Sequence, residues 1–242
     1  MSANSTLMSV CDAALFDLDG VLTPTAEVHM RAWSRMFNAF LPTHGDQRPY
    51  TDADYFAHVD GKPRYDGVRD LLASRGIELP LGDPSDPPEA ETVCGLGNRK
   101  NAEFAAVLAT EGVRPYPGSV RLLDYLTGVG VQVAVVSSSA NAQDVLVAAG
   151  LRDRFEVVVD GLLARRESIA GKPAPDTYLR AAEALGVPRE RAVVFEDAIS
   201  GVQAGRAGRF GLVVGVERGV GHDALLAEGA DLVVTDLAEL LP

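Results

Sequence analysis

The chain has 242 residues, 47% hydrophobic and 23% charged, a composition that suits a full globular core plus a smaller module and argues against disorder. Its formal net charge of -12 repels polyanions, so nucleic acid and anionic membranes are poor partners and a small anionic substrate needs a local cationic pocket. Cys11 and Cys94 stand too far apart to suggest a disulfide framework or a metal pair, MSANSTLMSV lacks a cationic start and a long apolar run, and no later stretch reaches membrane-spanning length, so a soluble, unprocessed, cytoplasmic protein is expected.

In chain order, AALF (13–16) is a short apolar run that stops at Asp17-Leu18-Asp19-Gly20, which predicts a buried strand ending in a turn that carries carboxylates. From 26 to about 112 the apolar spacing is helical, over 26–40, 52–59, 64–74 and 89–110; Trp33, Phe37 and Phe40 recur at that spacing and read as core. LPLGDPSDPPEAE (79–91) holds four prolines and four acids and reads as a solvated connector. Beyond Pro117 strands and helices alternate: helix 118–127, strand 131–136, helix 141–149, strand 156–159, helix 175–185, strand 192–195, helix 198–207 and strands 211–215 and 231–234.

Such alternation predicts an α/β fold with a Rossmann-like parallel sheet and helices on both faces. Strand 13–16 finds neighbours only beyond residue 130, so the helical block is an insertion. The expected division is a catalytic core of 1–25 plus 115–242 and an α-helical cap domain of 26–114 above the first strand.

Three predicted strands end in polar clusters: Asp17 and Asp19, then Ser137-Ser138-Ser139, then Glu196-Asp197. In open parallel sheets ligands bind beyond the carboxyl ends of strands, so the clusters are expected to converge. Phosphoryl transfer through a covalent intermediate needs a carboxylate nucleophile, a metal to offset its charge, and donors for the equatorial oxygens. Asp17 and Asp19, two positions apart, allow one to attack while the other lies near the leaving oxygen. Glu196 and Asp197 complete an all-oxygen set suited to Mg2+, and Ser137 and Lys172 hold the transferring phosphate.

FDLDGVLTPT, VVSSSAN, GKPAPD and FEDAISGV, in this order, resemble the four motifs of the haloacid dehalogenase superfamily, and the chain is most similar to its β-phosphoglucomutase-like subfamily from residue 13 to about 220. The resemblance implies that Asp17 forms the aspartyl-phosphate. It makes Asp19 the general acid and base, with a main-chain carbonyl for Mg2+, and it gives the rest of the metal site to Asp197 with Glu196. Thr25 and His29 match residues that position Asp19 and the sugar. Gly61 and Arg64 match a loop that grips the sugar phosphate, Lys100 with Asn101 a pair near the substrate, and Ser139 with Asn141, beside Ser138, the site of the far phosphate. Asp60 and Ala140 stand where the mutase pattern has lysines, and Lys62 can compensate for Asp60. A cis Lys172-Pro173 bond is also expected.

The resemblance implies a small sugar-phosphate substrate, and a monomer is expected. Three outcomes stay open: a hexose-phosphate mutase acting through a bisphosphate, a phosphatase for a small sugar or polyol phosphate, and a catalytically silent sugar-phosphate sensor. A mutase must keep water from the aspartyl-phosphate, a task for cap closure. Each motif residue also has a plainer reading. The serines can cap the following helix, Glu196 and Asp197 can be helix N-terminal acids, Lys172 can be a solvated loop residue, and His29 can be a packed or surface side chain. The two cysteines read as inert thiols.

Overall fold

A computed structural model describes residues 3–242 and divides them into two compact units: residues 3–24 with Val113–Pro242, and Thr25–Gly112. The first is a sheet unit. Its strands are β1 (Ala13–Phe16), β2 (Gln132–Val136), β3 (Val157–Val159), β4 (Ala192–Glu196), β5 (Leu212–Val216) and β6 (Leu232–Val234), all parallel in the order β3-β2-β1-β4-β5-β6.

The apolar run Ala13–Phe16 sits at the centre because it is buried throughout and carries no polar side chain to solvate. Ala13 lies opposite Gln132 on one side and Ala192 on the other, so both of its neighbours come from beyond the helical insertion. Phe16 stacks on Phe195 at 4.6 Å between ring centroids, filling the sheet surface at the carboxyl end of β1. The helices of this unit are α1 (Ala3–Val10), α6 (Pro117–Gly128), α7 (Ala142–Ala148), α8 (Gly161–Arg166), α9 (Asp176–Leu185), α10 (Ile199–Gly208) and α11 (His222–Ala227). Tyr178, Ala181 and Ala182 of α9 bury one apolar stripe with Leu15, Val136 and Val194.

The helical unit holds α2 (Thr25–Phe40), α3 (Asp52–His58), α4 (Arg64–Ser74) and α5 (Val93–Glu111). Its own core joins Trp33, Phe37 and Phe40 of α2 to Tyr55, Val68, Leu71, Leu72 and Leu96. Thr25 belongs to this unit because it opens α2, and Val113 and Arg114 belong to the sheet unit because α5 has ended at Gly112, whose φ of 65° turns the chain out of the helix. The expected edges at 25/26 and 114/115 shift accordingly.

Other differences from the sequence reading have local causes. The last helix of the insertion starts at Val93 rather than 89, since the Thr92 hydroxyl accepts the Gly95 N–H at 2.9 Å and sets the cap there. The preceding connector is exposed as expected but is held down, with the Thr92 hydroxyl donating to Asp86 at 2.6 Å and the Asn98 amide donating to the Pro84 and Asp86 carbonyls at 3.0 and 2.9 Å. Helices α1, α8 and α11 were not expected. In α8 the Asp160 carboxylate caps the N–H groups of Leu162 and Leu163, where Asp-Gly reads in isolation as a turn. No helix among the described residues is long and apolar enough to cross a membrane.

Candidate active site

The strand order turns outward on both sides of the β1–β4 pair, and in sheets of this order the crevice lies at the carboxyl ends flanking that point. Asp17 follows β1, Glu196 ends β4 and Asp197 follows it, so three acids reach the same place. One oxygen from each lies within 4.8 Å of the others, and all three residues are buried, with Glu196 fully inaccessible.

Lys172, 3% exposed, enters from the loop before α9, where the Lys172-Pro173 bond is cis. Its Nζ lies 2.5 Å from Asp17 Oδ1 and 2.5 Å from Glu196 Oε1, and donates to the Val136 carbonyl at the end of β2 at 3.1 Å. One ammonium thus ties together the carboxyl ends of β1, β2 and β4. Burial alone would lower the Lys172 pKa, but Asp17 and Glu196 hold it above its ordinary value, so it stays charged.

Asp17 goes the other way from a normal paired acid. Burial pushes it well above the usual carboxylate range, Lys172 opposes this, and Glu196 and Asp19 add to the rise. Three buried carboxylates face a single ammonium, so the site has a surplus of negative charge in a low-dielectric place. An oxygen-only donor set with that surplus fits a hard divalent cation.

Asp19 is half-buried, and Ser137 Oγ reaches its Oδ2 at 3.4 Å. The loop carrying Asp19 is closed by Gly20 N–H to Thr23 O at 2.7 Å and by Leu22 and Thr23 N–H to Leu18 O at 3.0 Å each. Gly20 has φ 89°, and a Cβ there would fall 1.8 Å from Asp197 Oδ2, so both its conformation and its closeness to the acid demand glycine.

The serine run forms successive hydroxyl turns rather than a simple cap. Ser137 Oγ accepts the Ser139 N–H at 3.1 Å, Ser139 Oγ accepts the Asn141 N–H at 3.1 Å, and Asn141 occupies the N-cap position of α7. Gly161 packs under the loop, where a Cβ would meet the Ser138 carbonyl at 2.6 Å.

The remaining sequence-selected residues lie in the helical unit. Thr25 is buried at the start of α2, and His29 one turn on contacts Lys100 Nζ through Nδ1 and stacks on Phe104 at 4.0 Å. Lys100 is itself buried, with Nζ 5.0 Å above the Trp33 and Phe104 rings. Arg64 donates to Asn101 Oδ1 at 2.8 Å and Asn98 Oδ1 at 3.3 Å, which links the start of α4 to α5. Gly61 takes φ 67° in the loop before α4, and Lys62 is drawn into an ion pair with Asp70 at 2.9 Å.

Two residues that pattern reading passed over shape the acid cluster. The Tyr178 hydroxyl donates to Glu196 Oε1 at 2.8 Å, and burial together with Glu196 raises its pKa so that it stays a donor. Gly201 leaves the space that Glu196 fills, since a Cβ there would lie 1.7 Å from Oε1. Cys11 is buried just ahead of β1, and burial first, then Asp12, pushes its thiol up to about 12, which leaves it unreactive.

A family model for haloacid dehalogenase-like hydrolases matches residues 11–209, a span that includes β1 through β4 and every acid named above. The chain belongs to that family. It is 55% identical over 240 residues to the β-phosphoglucomutase of Mycobacterium tuberculosis and of Mycobacterium bovis, covering 95% of this chain and 91% of theirs. It is 32% identical over 230 residues to the validoxylamine A 7'-phosphate phosphatase of Streptomyces hygroscopicus, covering 94% of each. Among solved structures, CbbY from Rhodobacter sphaeroides in complex with phosphate matches with a TM-score of 0.74 and 26% identity, over 96% of both chains. The haloacid dehalogenase-like protein is therefore an enzyme, either a β-phosphoglucomutase-like sugar-phosphate mutase or a phosphatase.

Proposed function

We propose that the chain interconverts a β-hexose 1-phosphate and its 6-phosphate by phosphoryl transfer through Asp17. The observation that carries this reading is the 55% identity to β-phosphoglucomutase over nearly the whole length of both chains. A carboxylate oxygen of Asp17 attacks phosphorus in line, the bond to the leaving sugar oxygen breaks, and that oxygen takes its proton from Asp19. In the return step Asp19 accepts the proton of the sugar hydroxyl that attacks the aspartyl-phosphate. The half-buried setting of Asp19 and its contact from Ser137 suit a carboxyl that alternates between acid and base.

Lys172 holds Asp17 against the sheet and offsets charge on the transferring group, while Ser137 supplies a donor to it. Asp17, Asp197 with Glu196, and the Asp19 main-chain carbonyl would hold Mg2+, which would supply positive charge against that of the nucleophile and the phosphate. Gly61, Arg64, Lys100, Ser138, Ser139 and Asn141 are assigned to the sugar phosphate, with Thr25 and His29 positioning Asp19 and the sugar. Lys62 is assigned to the sugar phosphate with them and has to leave its ion pair with Asp70 to reach it.

A second reading, hydrolysis of a small sugar or polyol phosphate by the same acids, has its own support. Asp60 and Ala140 remove cations that the mutase pattern places near substrate, and one relative at 32% identity is a phosphatase. The test incubates the enzyme with Mg2+, β-glucose 1-phosphate and a trace of glucose 1,6-bisphosphate while glucose 6-phosphate and free phosphate are followed together. Isomerisation without phosphate release is expected, and stoichiometric release of phosphate replaces the mutase with the phosphatase. Turnover unchanged in Asp19→Ala overturns the acid–base assignment.

A further inference from the structure

Three successive carbonyls just after Asp19 are held from outside their loop, one by the segment after β5 and two by α6 and its N-cap residue. Arg218, in the loop after β5, donates from Nε to the Gly20 carbonyl at 2.9 Å. Ser119 Oγ on α6 donates to the Val21 carbonyl at 2.6 Å, and the Tyr116 N–H donates to the Leu22 carbonyl at 2.9 Å. Arg218 also meets a second of these supports, Tyr116, and the segment past β6. Its Nη1 donates to the Thr235 carbonyl at 2.7 Å, just past β6, and its guanidinium carbon lies 4.2 Å from the centroid of the Tyr116 ring.

We infer that Arg218 is a positioning residue for phosphoryl transfer, acting through the Gly20 carbonyl on both Asp19 and Asp197. The inference rests on the reading of Asp17 and Asp19 given under Proposed function. Gly20 is peptide-linked to Asp19, and its Cα side is the surface against which Asp197 Oδ2 packs, so a displacement of Gly20 moves two site carboxylates at once. The loop's own bonds, from Gly20 N–H to Thr23 O and from Leu22 and Thr23 N–H to Leu18 O, keep its shape but do not anchor it to the sheet. The anchoring is external, and Arg218 is its only member that meets the Gly20 peptide directly among the described residues.

The chemistry of the side chain fits the task. A planar guanidinium offers divergent N–H vectors that reach Gly20 and Thr235 together while its face rests on Tyr116, whereas a lysine ammonium is a compact point donor without such a face. Supporting residues of this kind typically change rates about tenfold to a hundredfold when removed, because small displacements of a reacting group are costly.

The test compares wild type with Arg218→Met and Arg218→Lys in three measurements: kcat and KM with Mg2+ and the sugar phosphate, amide hydrogen exchange over 17–24 and over β2 and β4, and the thermal midpoint. For Arg218→Met the expected result is a kcat about tenfold to a hundredfold lower with KM changed less than about twofold. Exchange at the Gly20, Leu22 and Thr23 amides rises about tenfold while β2 and β4 are unchanged. Arg218→Lys recovers part of kcat and part of the protection, and serves alone if Arg218→Met does not fold. Unchanged kcat, unchanged exchange over 17–24, or a uniform rise across the sheet overturns the inference. Wild-type enzyme without Asp17-dependent turnover overturns the proposed reaction instead, and the exchange comparison then judges the anchoring by itself.

Discussion

Asp17 in the sheet unit and Asp54 in the helical unit are both buried, at 7% and 2% exposure, but their surroundings differ in kind. Asp54 accepts from Arg48 at 2.7 and 3.1 Å, from Arg75 at 2.9 Å, and from the Thr51 N–H and hydroxyl at 2.9 and 3.0 Å. Burial pushes its pKa up, yet the Thr51 hydrogen bonds, Arg48 and Arg75 together hold it below the ordinary carboxylate value. Asp17 has one cation, Lys172, which it shares with Glu196, and its pKa is raised. A buried acid with its charge matched is a structural joint, whereas a buried acid left in surplus marks where a ligand's charge belongs.

The comparison is broken most sharply by Asp17→Asn. It is expected to cut kcat by about ten-thousandfold or more in the coupled assay while the thermal midpoint holds or rises, because the change removes the proposed nucleophile and a costly buried charge together. A variant that loses both activity and fold would make Asp17 a joint like Asp54. In the helical unit, Asp54→Ala is expected to cost about 3–5 kcal/mol in denaturant unfolding, since Arg75, with a side chain 4% exposed, loses its partner.

Metal addition should separate the units next. Mg2+ at about a hundred times its dissociation constant is expected to stabilise the wild-type sheet unit by about 2.7 kcal/mol, and chelation reverses it. The Asp197→Asn variant should lose this response and Asp54→Ala should keep it.

Acidity gives the smallest effect, with opposite signs in the two units. Without metal, the native state holds a proton on Asp17 over a range where the unfolded chain does not. Stability from this group therefore rises as pH falls towards the ordinary aspartate value of 3.8, by at most about 1.4 kcal/mol per pH unit. Asp54, lowered, contributes stability that is present above 3.8 and is lost as pH falls through its folded value. Thermal melts of wild type and Asp17→Asn across pH 4–7 should differ in slope, and equal slopes would show that Asp17 is not the group responsible.

Much of this was readable in the sequence because it is locally encoded. AALF followed at once by DLDG states a buried strand and its acidic end in eight residues, and the alternation beyond Pro117 states the parallel sheet. What escaped was encoded in distance. Tyr178 reads as one apolar member of a helical stripe, and only the fold brings its hydroxyl to Glu196. Gly201 and Gly20 read as helix and turn glycines until the carboxylates filling their missing Cβ positions are known. Thr92 was hidden behind EAE, where the helical spacing was read as starting at 89, earlier than the Thr92 cap permits.

The central strand also has a consequence for how the chain is made. Ala13–Phe16 is made before both of its partners, residues 132–135 and 192–195, so the strand that carries Asp17 waits unpaired until residue 195 has left the ribosome. Thr25–Gly112 has its core partners within itself and can collapse in the interval. An apolar, edge-exposing segment made this far ahead of its partners is therefore the part that chaperones have most reason to shield.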